Sequence, residues 1–264
     1  MDIMTNIIVA APPEYLEAAS RTGFPLAYMI YRIGRGHHLF RARGVGRLAG
    51  GMMVLDTGGY IGGGPSSTLI TELLDECEKN EFSGIVLDTG GKATTQLMLL
   101  TGRLATEAKK RGLKVYVHEI LSNASAQTVV LIPTALSGGT LAGHIGDAVN
   151  KYGSGRVALE IERVRMDFSL PAAQGTGVEL TAGELQSLID EHRPQSFFSK
   201  DLCAYYFTYH DKKDTHFVLY DNGASIRRKL SVASTMSIED AFIYYPHTSD
   251  IIDKINPSLP GQSS

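Results

Sequence analysis

The chain contains no tryptophan, only two cysteines, and no apolar run near the ~20 residues a bilayer-crossing helix needs. Without tryptophan it lacks the large rings on which long polysaccharide grooves usually stack their sugars. Cys77 and Cys203 lie far apart and outside any CxxC spacing, which excludes a disulfide framework or zinc site and makes both read as buried free thiols. Met1 to Ala11 has neither the charged start nor the cleavage pattern of a secretory signal, so the expected location is the cytoplasm. Charge of either sign is also scarce: 25 Lys and Arg against 28 Asp and Glu leave a net −3, and no overall field draws the chain to nucleic acid or anionic membranes. His118-Glu119 is followed by Ser122 where a HExxH site needs its second histidine, so no metal is expected. No lysine follows the glycines of Tyr60 to Ser67, so the P-loop pattern fails, and no cofactor is expected. A flexible rim loop is the plainer reading of that segment.

With 43% hydrophobic and 20% charged residues, the sequence is that of a globular protein, and 264 residues suit a single α/β barrel of roughly 250. Short β-rich runs alternate with amphipathic stretches, the rhythm of parallel strands joined by helices. Eight strands are predicted: Asn6 to Ala10, Ala27 to Ile33, Gly51 to Asp56, Gly84 to Asp88, Lys114 to Glu119, Thr128 to Ile132, Val157 to Glu162, and Ala241 to Tyr245. Helices are predicted over Pro65 to Asn80, opened by Ser66-Ser67-Thr68, and over Ala93 to Arg111, closed by Gly112. After the seventh strand the connection is too long for a simple βα link. It carries a helix signal from Thr181 to His192 and a hairpin of Cys203 to Tyr209 with His216 to Tyr220. The expected architecture is a (β/α)8 TIM barrel from residues 1–162 and 222–256. A small α+β insertion occupies residues 163–221, between the last two barrel strands, and residues 257–264 form a flexible tail.

The most informative feature is a repeat. Val54-Leu55-Asp56-Thr57-Gly58-Gly59 recurs thirty-two residues on as Val86-Leu87-Asp88-Thr89-Gly90-Gly91, each copy ending an apolar run in a single carboxylate. Buried parallel strands that end this way bring Asp56 and Asp88 to one mouth, where such folds keep their chemistry. The bland alternative is that each carboxylate accepts backbone N–H groups of its own turn. Asp-Thr-Gly is also the loop of aspartic proteases, but their scaffold is all-β and both copies here precede helices. Glu119, at the end of the fifth strand, and Glu160 and Glu162, of one parity on the seventh, are further candidate acids. The segment from Arg32 to Arg47 holds five arginines, Arg32 and Arg35 among them, two histidines and no acid. Arginine forks suit carboxylate or phosphate, so an anionic small molecule or an acidic protein partner is one reading and a solvated loop the other. The aromatic hairpin reads as insertion core or as a surface for sugar stacking.

From Arg156 to Pro246 the order of elements resembles the glycoside hydrolase family 18 barrels, especially the chitinase-like hydrolases of bacterial spores and cell walls. The resemblance rests on Val157 to Glu162, then Phe168-Ser169-Leu170-Pro171, the Tyr205-Tyr206-Phe207-Thr208-Tyr209 hairpin, His216 to Asp221, and a last strand ending near Tyr245. It implies that the family's DxxDxDxE motif lies over Ser83 to Gly90, with Asp88 as its third aspartate. Ser83 and Val86 then stand in the other aspartate positions, and Gly90 where the proton-donating glutamate belongs. The tyrosine expected on the sixth strand is replaced by Leu131-Ile132-Pro133-Thr134, and the tryptophan of the eighth by Tyr244-Tyr245-Pro246. General acid–base catalysis is commonly worth ~10²–10⁴ in rate, so loss of the acid implies little hydrolysis. The resulting expectation is a non-hydrolytic, chitinase-like barrel that binds a glycan or a protein partner through Asp56, Asp88, Arg32, Arg35, Tyr60 and Tyr245. A hydrolase using a rearranged pair from Asp56, Asp88, Glu119 and Glu160, or a scaffold without a ligand, are the alternatives.

Overall fold

A computed structural model describes residues 5–61, 67–136, 138–172, 176–211 and 213–255, without the Arg35 side chain. The predicted Ser66 capping position, the glycines of 62–64 and the tail lie outside the described residues. The strands in chain order are β1 (Asn6–Ala11), β2 (Leu26–Ile33), β3 (Leu39–Arg41), β4 (Met52–Asp56), β5 (Gly84–Asp88), β6 (Lys114–His118) and β7 (Val129–Pro133). They continue with β8 (Val157–Ile161), β9 (Arg165–Leu170), β10 (Val178–Glu179), β11 (Phe197–Ser199), β12 (Ala204–His210), β13 (Thr215–Tyr220) and β14 (Asp240–Tyr244). The helices are α1 (Leu16–Ser20), α2 (Ser67–Lys79), α3 (Thr95–Lys110), α4 (Leu141–Tyr152), α5 (Ala182–His192), α6 (Gly223–Thr235), α7 (Tyr245–Thr248) and α8 (Ile252–Ile255).

Eight parallel strands form a closed barrel in the order β1, β2, β4, β5, β6, β7, β8, β14, and β14 returns to pair with β1. The strands are apolar on both faces because both are covered. Ile8, Ala27, Met52, Val54, Val86, Tyr116, Val129, Leu131, Ala158 and Phe242 fill the interior. The residues between them, such as Val9, Met53, Leu55, Ile85, Leu87, Val117 and Leu159, pack against the surrounding helices. That alternation decides which side chains can reach the mouth. The predicted strand at Thr128 to Ile132 begins one residue later, because the Thr128 hydroxyl donates back to Ser125 O and closes a turn.

The helices follow their apolar spacing. In α2 the buried positions are Leu69, Ile70, Leu73, Leu74 and Cys77, and burial pushes the Cys77 thiol up to about 12. Thr94 caps α3 by accepting from Leu97 N, and Thr140 caps α4 from Gly143 N. After β6 the barrel has only a 3₁₀ turn, Glu119–Ala124, in place of a full helix. A short antiparallel strand, β3, doubles back on β2, so the start of the arginine-rich segment is a hairpin arm as well as a loop.

Between β8 and β14 the chain builds a second, antiparallel sheet in the order β10, β9, β13, β12, β11. One face packs on α5 through Leu180, Leu185, Phe207, Tyr209, Val218 and Tyr220. Thr181 and Glu184 form a reciprocal capping box at the start of α5. The return to the barrel is fastened by a fully buried pair, Lys229 Nζ to Asp221 Oδ2 at 2.6 Å. Asp221 also accepts from Val164 N and the Ser225 hydroxyl, so its lone pairs are well used.

Candidate functional site

The last inward residue of each strand faces the C-terminal mouth, where a cavity of about 370 Å³ opens. Its apolar wall includes Met29, Val54, Val86, Leu131 and Phe242, and its polar groups are Asp88, His118, Glu160, Glu162, Tyr244 and His247. Parity explains the set: Val86 and Asp88, Tyr116 and His118, Ala158 and Glu160, and Phe242 and Tyr244 share the inward face of their strands.

Glu160 is the electrostatic centre of the mouth. Its carboxylate lies 3.5 Å from His118 Nδ1, a contact that becomes an ion pair when the imidazole is protonated. Burial raises the Glu160 pKa above the ordinary carboxylate value; His118 opposes the shift, while Glu162 and Asp88 add to it by like-charge repulsion. Asp88 is therefore close enough to feel Glu160. Tyr244 lies edge-on to His247, with ring centroids 4.8 Å apart, and forms an aromatic side to the opening.

The repeated motif builds its own turns. Asp56 Oδ1 accepts from Gly58 N at 2.8 Å, and Asp88 Oδ1 from Gly90 N at 3.0 Å. Both backbone and hydroxyl of Thr57 donate to Asp88 O at 2.9 Å, so the first copy closes the end of the second strand. Gly59 is required there, since a Cβ would lie 1.9 Å from Ile33 O. Gly90 has φ +54°, and the space beside its Cα is open.

The two aspartates face different spaces. Asp88 lines the mouth, whereas Asp56 lines a separate cavity of about 540 Å³ with Arg32, Gly34, Phe40, Gly59 and Ile61. Arg32 sits opposite Asp56 in the β2–β4 register. Among the described residues, neither aspartate forms an ion pair with an arginine. The arginine-rich segment is instead tied down elsewhere. Glu72 of α2 pairs with His38 at 2.6 Å and accepts from Leu39 N, while the Arg41 guanidinium donates to Val45 O and Gly46 O. The Arg35 side chain lies outside what is described.

Three sequence candidates stand away from the mouth. Glu119 has the opposite parity to His118, and its carboxylate accepts from Tyr152 OH at 3.0 Å and faces Lys151 at 3.5 Å. Tyr245, also of outward parity, is buried in the layer between barrel and helices and begins α7. Its neighbour Tyr244 is the one that reaches the cavity. Tyr60 is buried in the same outer layer, with its ring 4.7 Å from that of His37. The sequence reading passed over His118, Tyr244 and His247. For the first two the available signal was parity, each being the last residue of a strand whose inward positions are two apart.

No protein-family model matches the chain, and no curated protein matches it by sequence. Solved structures do match it. The spore cortex-lytic enzyme SleL of Bacillus cereus is 16% identical over 97% of this chain and 75% of its own, with a TM-score of 0.68. A chitinase from Chromobacterium violaceum is 16% identical over 97% of this chain and all of its own, 100%, with a TM-score of 0.65. A class V chitinase mutant from Cycas revoluta, solved in complex with (GlcNAc)3, is 14% identical over 95% of this chain and 98% of its own, with a TM-score of 0.62. The fold is that of the family 18 chitinases. Identities this low speak for the family 18 barrel as a scaffold; what the mouth does is a matter of its own residues.

Proposed function

We propose that the mouth binds an N-acetylglucosamine-containing glycan and does not hydrolyse it. The observation that carries this reading is Gly90, which stands where a family 18 barrel would keep its acid, with Asp88 bonded to the Gly90 backbone beside it. The cavity suits a sugar: at about 370 Å³ it is within the roughly 300–1,000 Å³ range of small-molecule sites, and it mixes apolar wall with a few polar groups. Asp88, His118 and Glu160 can bond to hydroxyl and amide groups, and Tyr244 can stack on a ring face. A similar fold that holds (GlcNAc)3, in the Cycas chitinase, adds support.

A second reading is favoured by Glu160. A carboxyl group whose pKa is raised by burial, near a second carboxylate, is the arrangement from which glycosidases make an acid and its partner. In that case Glu160 supplies the proton and Asp88 the opposing charge.

One pair of measurements separates the two. Binding without cleavage predicts that an N-acetylglucosamine oligomer raises the melting temperature, because a ligand at a hundred times its dissociation constant adds about 2.7 kcal/mol. Asp88→Asn weakens that rise, and a chromogenic oligomer stays intact over hours. Turnover that disappears in Glu160→Gln would establish the hydrolase instead, and no thermal shift with the oligomer would sink the glycan reading.

A further inference from the structure

Beside the mouth, between the barrel and the antiparallel sheet, lies a larger cavity of about 510 Å³. It shares Glu162 and His247 with the mouth, so the two spaces adjoin. Leu136, Met166, Phe168 and Leu219 give it an apolar wall, and Arg163 and Arg165 enter it from the segment after β8.

The two arginines differ in how they are used. Arg163 is engaged through two of its nitrogens, Nε donating to Asp221 O at 3.3 Å and Nη1 donating to His247 O at 3.0 Å and pairing with Asp250. Arg165 is only 8% exposed, and its Nε is buried with no hydrogen-bond partner. Among the described residues, the one carboxylate within ion-pair range is Glu179, 3.9 Å away and largely in solvent, where such pairs contribute little. A buried guanidinium with one nitrogen unpartnered and one weak ion pair is costly, and the positive charge of Arg163 beside it adds to that cost. An anion delivered into the cavity would offset the paired positive charges. The planar fork of an arginine best fits a group with two coplanar oxygens, which is a carboxylate. Glu162 and Glu179 also face this space and oppose an anion there, so the balance depends on Arg163 and Arg165 outweighing them.

We propose that this cavity is an acid-binding subsite in which Arg165 receives a carboxylate carried by the glycan whose neutral part sits in the mouth. The inference rests on the glycan reading above and narrows it to carboxylate-bearing sugars. Phe168 and Leu219 take the apolar face of the acid-bearing ring, and the part of the Arg165 guanidinium that lines the cavity donates to the carboxylate.

Two disaccharides that differ by one group test it by isothermal titration: di-N-acetylchitobiose, and N-acetylglucosaminyl-N-acetylmuramic acid, in which one ring carries a lactyl ether ending in a carboxylate. The acidic disaccharide is expected to bind the unaltered protein about tenfold more tightly, a preference that shrinks as salt is raised. In Arg165→Gln the preference disappears, while the affinity for the neutral disaccharide is kept. Equal affinities in the unaltered protein overturn the subsite and leave the glycan reading standing, and that comparison needs no variant to fold. A tenfold preference surviving in Arg165→Gln overturns it too. If neither disaccharide binds, the glycan reading falls and the subsite with it.

Discussion

The barrel has two ends built on the same strands with the same inward parity, and they treat charge in opposite ways. At the floor, Asp240 of β14 accepts from Lys114 Nζ at 2.8 Å and from the buried Tyr116 OH at 2.8 Å, and Asn6 Nδ2 reaches it at 3.2 Å. Burial works to lower the Lys114 pKa, but its bonds to Asp240 and Glu239 outweigh burial and raise it. At the mouth, the corresponding groups two residues or more further on, Asp88, His118, Glu160 and Glu162, are dominated by carboxylates and have one loose contact, at 3.5 Å, among them. The floor charges are mutually satisfied and hold the barrel closed. Those at the mouth leave hydrogen-bonding capacity turned toward a cavity, which is how a fold keeps capacity for a ligand.

Substitutions at the two ends are expected to shift stability in opposite directions. The largest effect is expected at the layer that divides them. Phe242 closes the bottom of the mouth and meets Tyr116 edge-on with centroids 5.0 Å apart, so Phe242→Ala should cost about 3–5 kcal/mol in urea unfolding and enlarge the cavity. Next comes the floor: Asp240→Ala leaves the Tyr116 hydroxyl buried without its acceptor, and a loss of about 1–3 kcal/mol is expected in the same measurement. A floor that tolerates this change would mean that its network is not what separates it from the mouth.

The smallest effect has the opposite sign. Because the folded protein raises the Glu160 pKa, it favours the neutral carboxyl; this contribution is present below the ordinary carboxylate range and is lost as pH rises through the raised value. At pH 7 the unaltered protein carries the cost of the charge and Glu160→Gln does not. The variant should therefore melt higher at pH 7, by on the order of 1–2 °C since the group is half-exposed, with no gain below about pH 4. Thermal melts at the two pH values check it, and a variant that melts lower at pH 7 would show Glu160 to be held by His118 as firmly as Asp240 is held at the floor.

Much of this was legible in the sequence, and the gaps have physical causes. The strand ends were readable because a strand buried on both faces is a short apolar run that closes on a polar residue, as at Asp56 and Asp88. Inward parity placed Glu160 and Glu162 on one side, and both line the mouth. The partner of Glu160 is His118, two strands away, because the side-by-side order of strands in the barrel and not sequence distance sets that neighbour. Glu119 looked equivalent to Asp88 at a strand end, but it is one residue beyond the inward position, and one residue reverses a side chain. Arg165 gave no signal at all, since the unpartnered state of its Nε depends on what β10, β13 and the barrel bring around it.

The alternation of short apolar runs with amphipathic stretches determined the closed parallel barrel, and the period of two along each run determined the side each strand residue faces, since both depend on local spacing alone. Which charges meet, which remain unpaired and which cavities adjoin depended on residues as far apart in the chain as Asn6 and Asp240, and only the tertiary structure decided them.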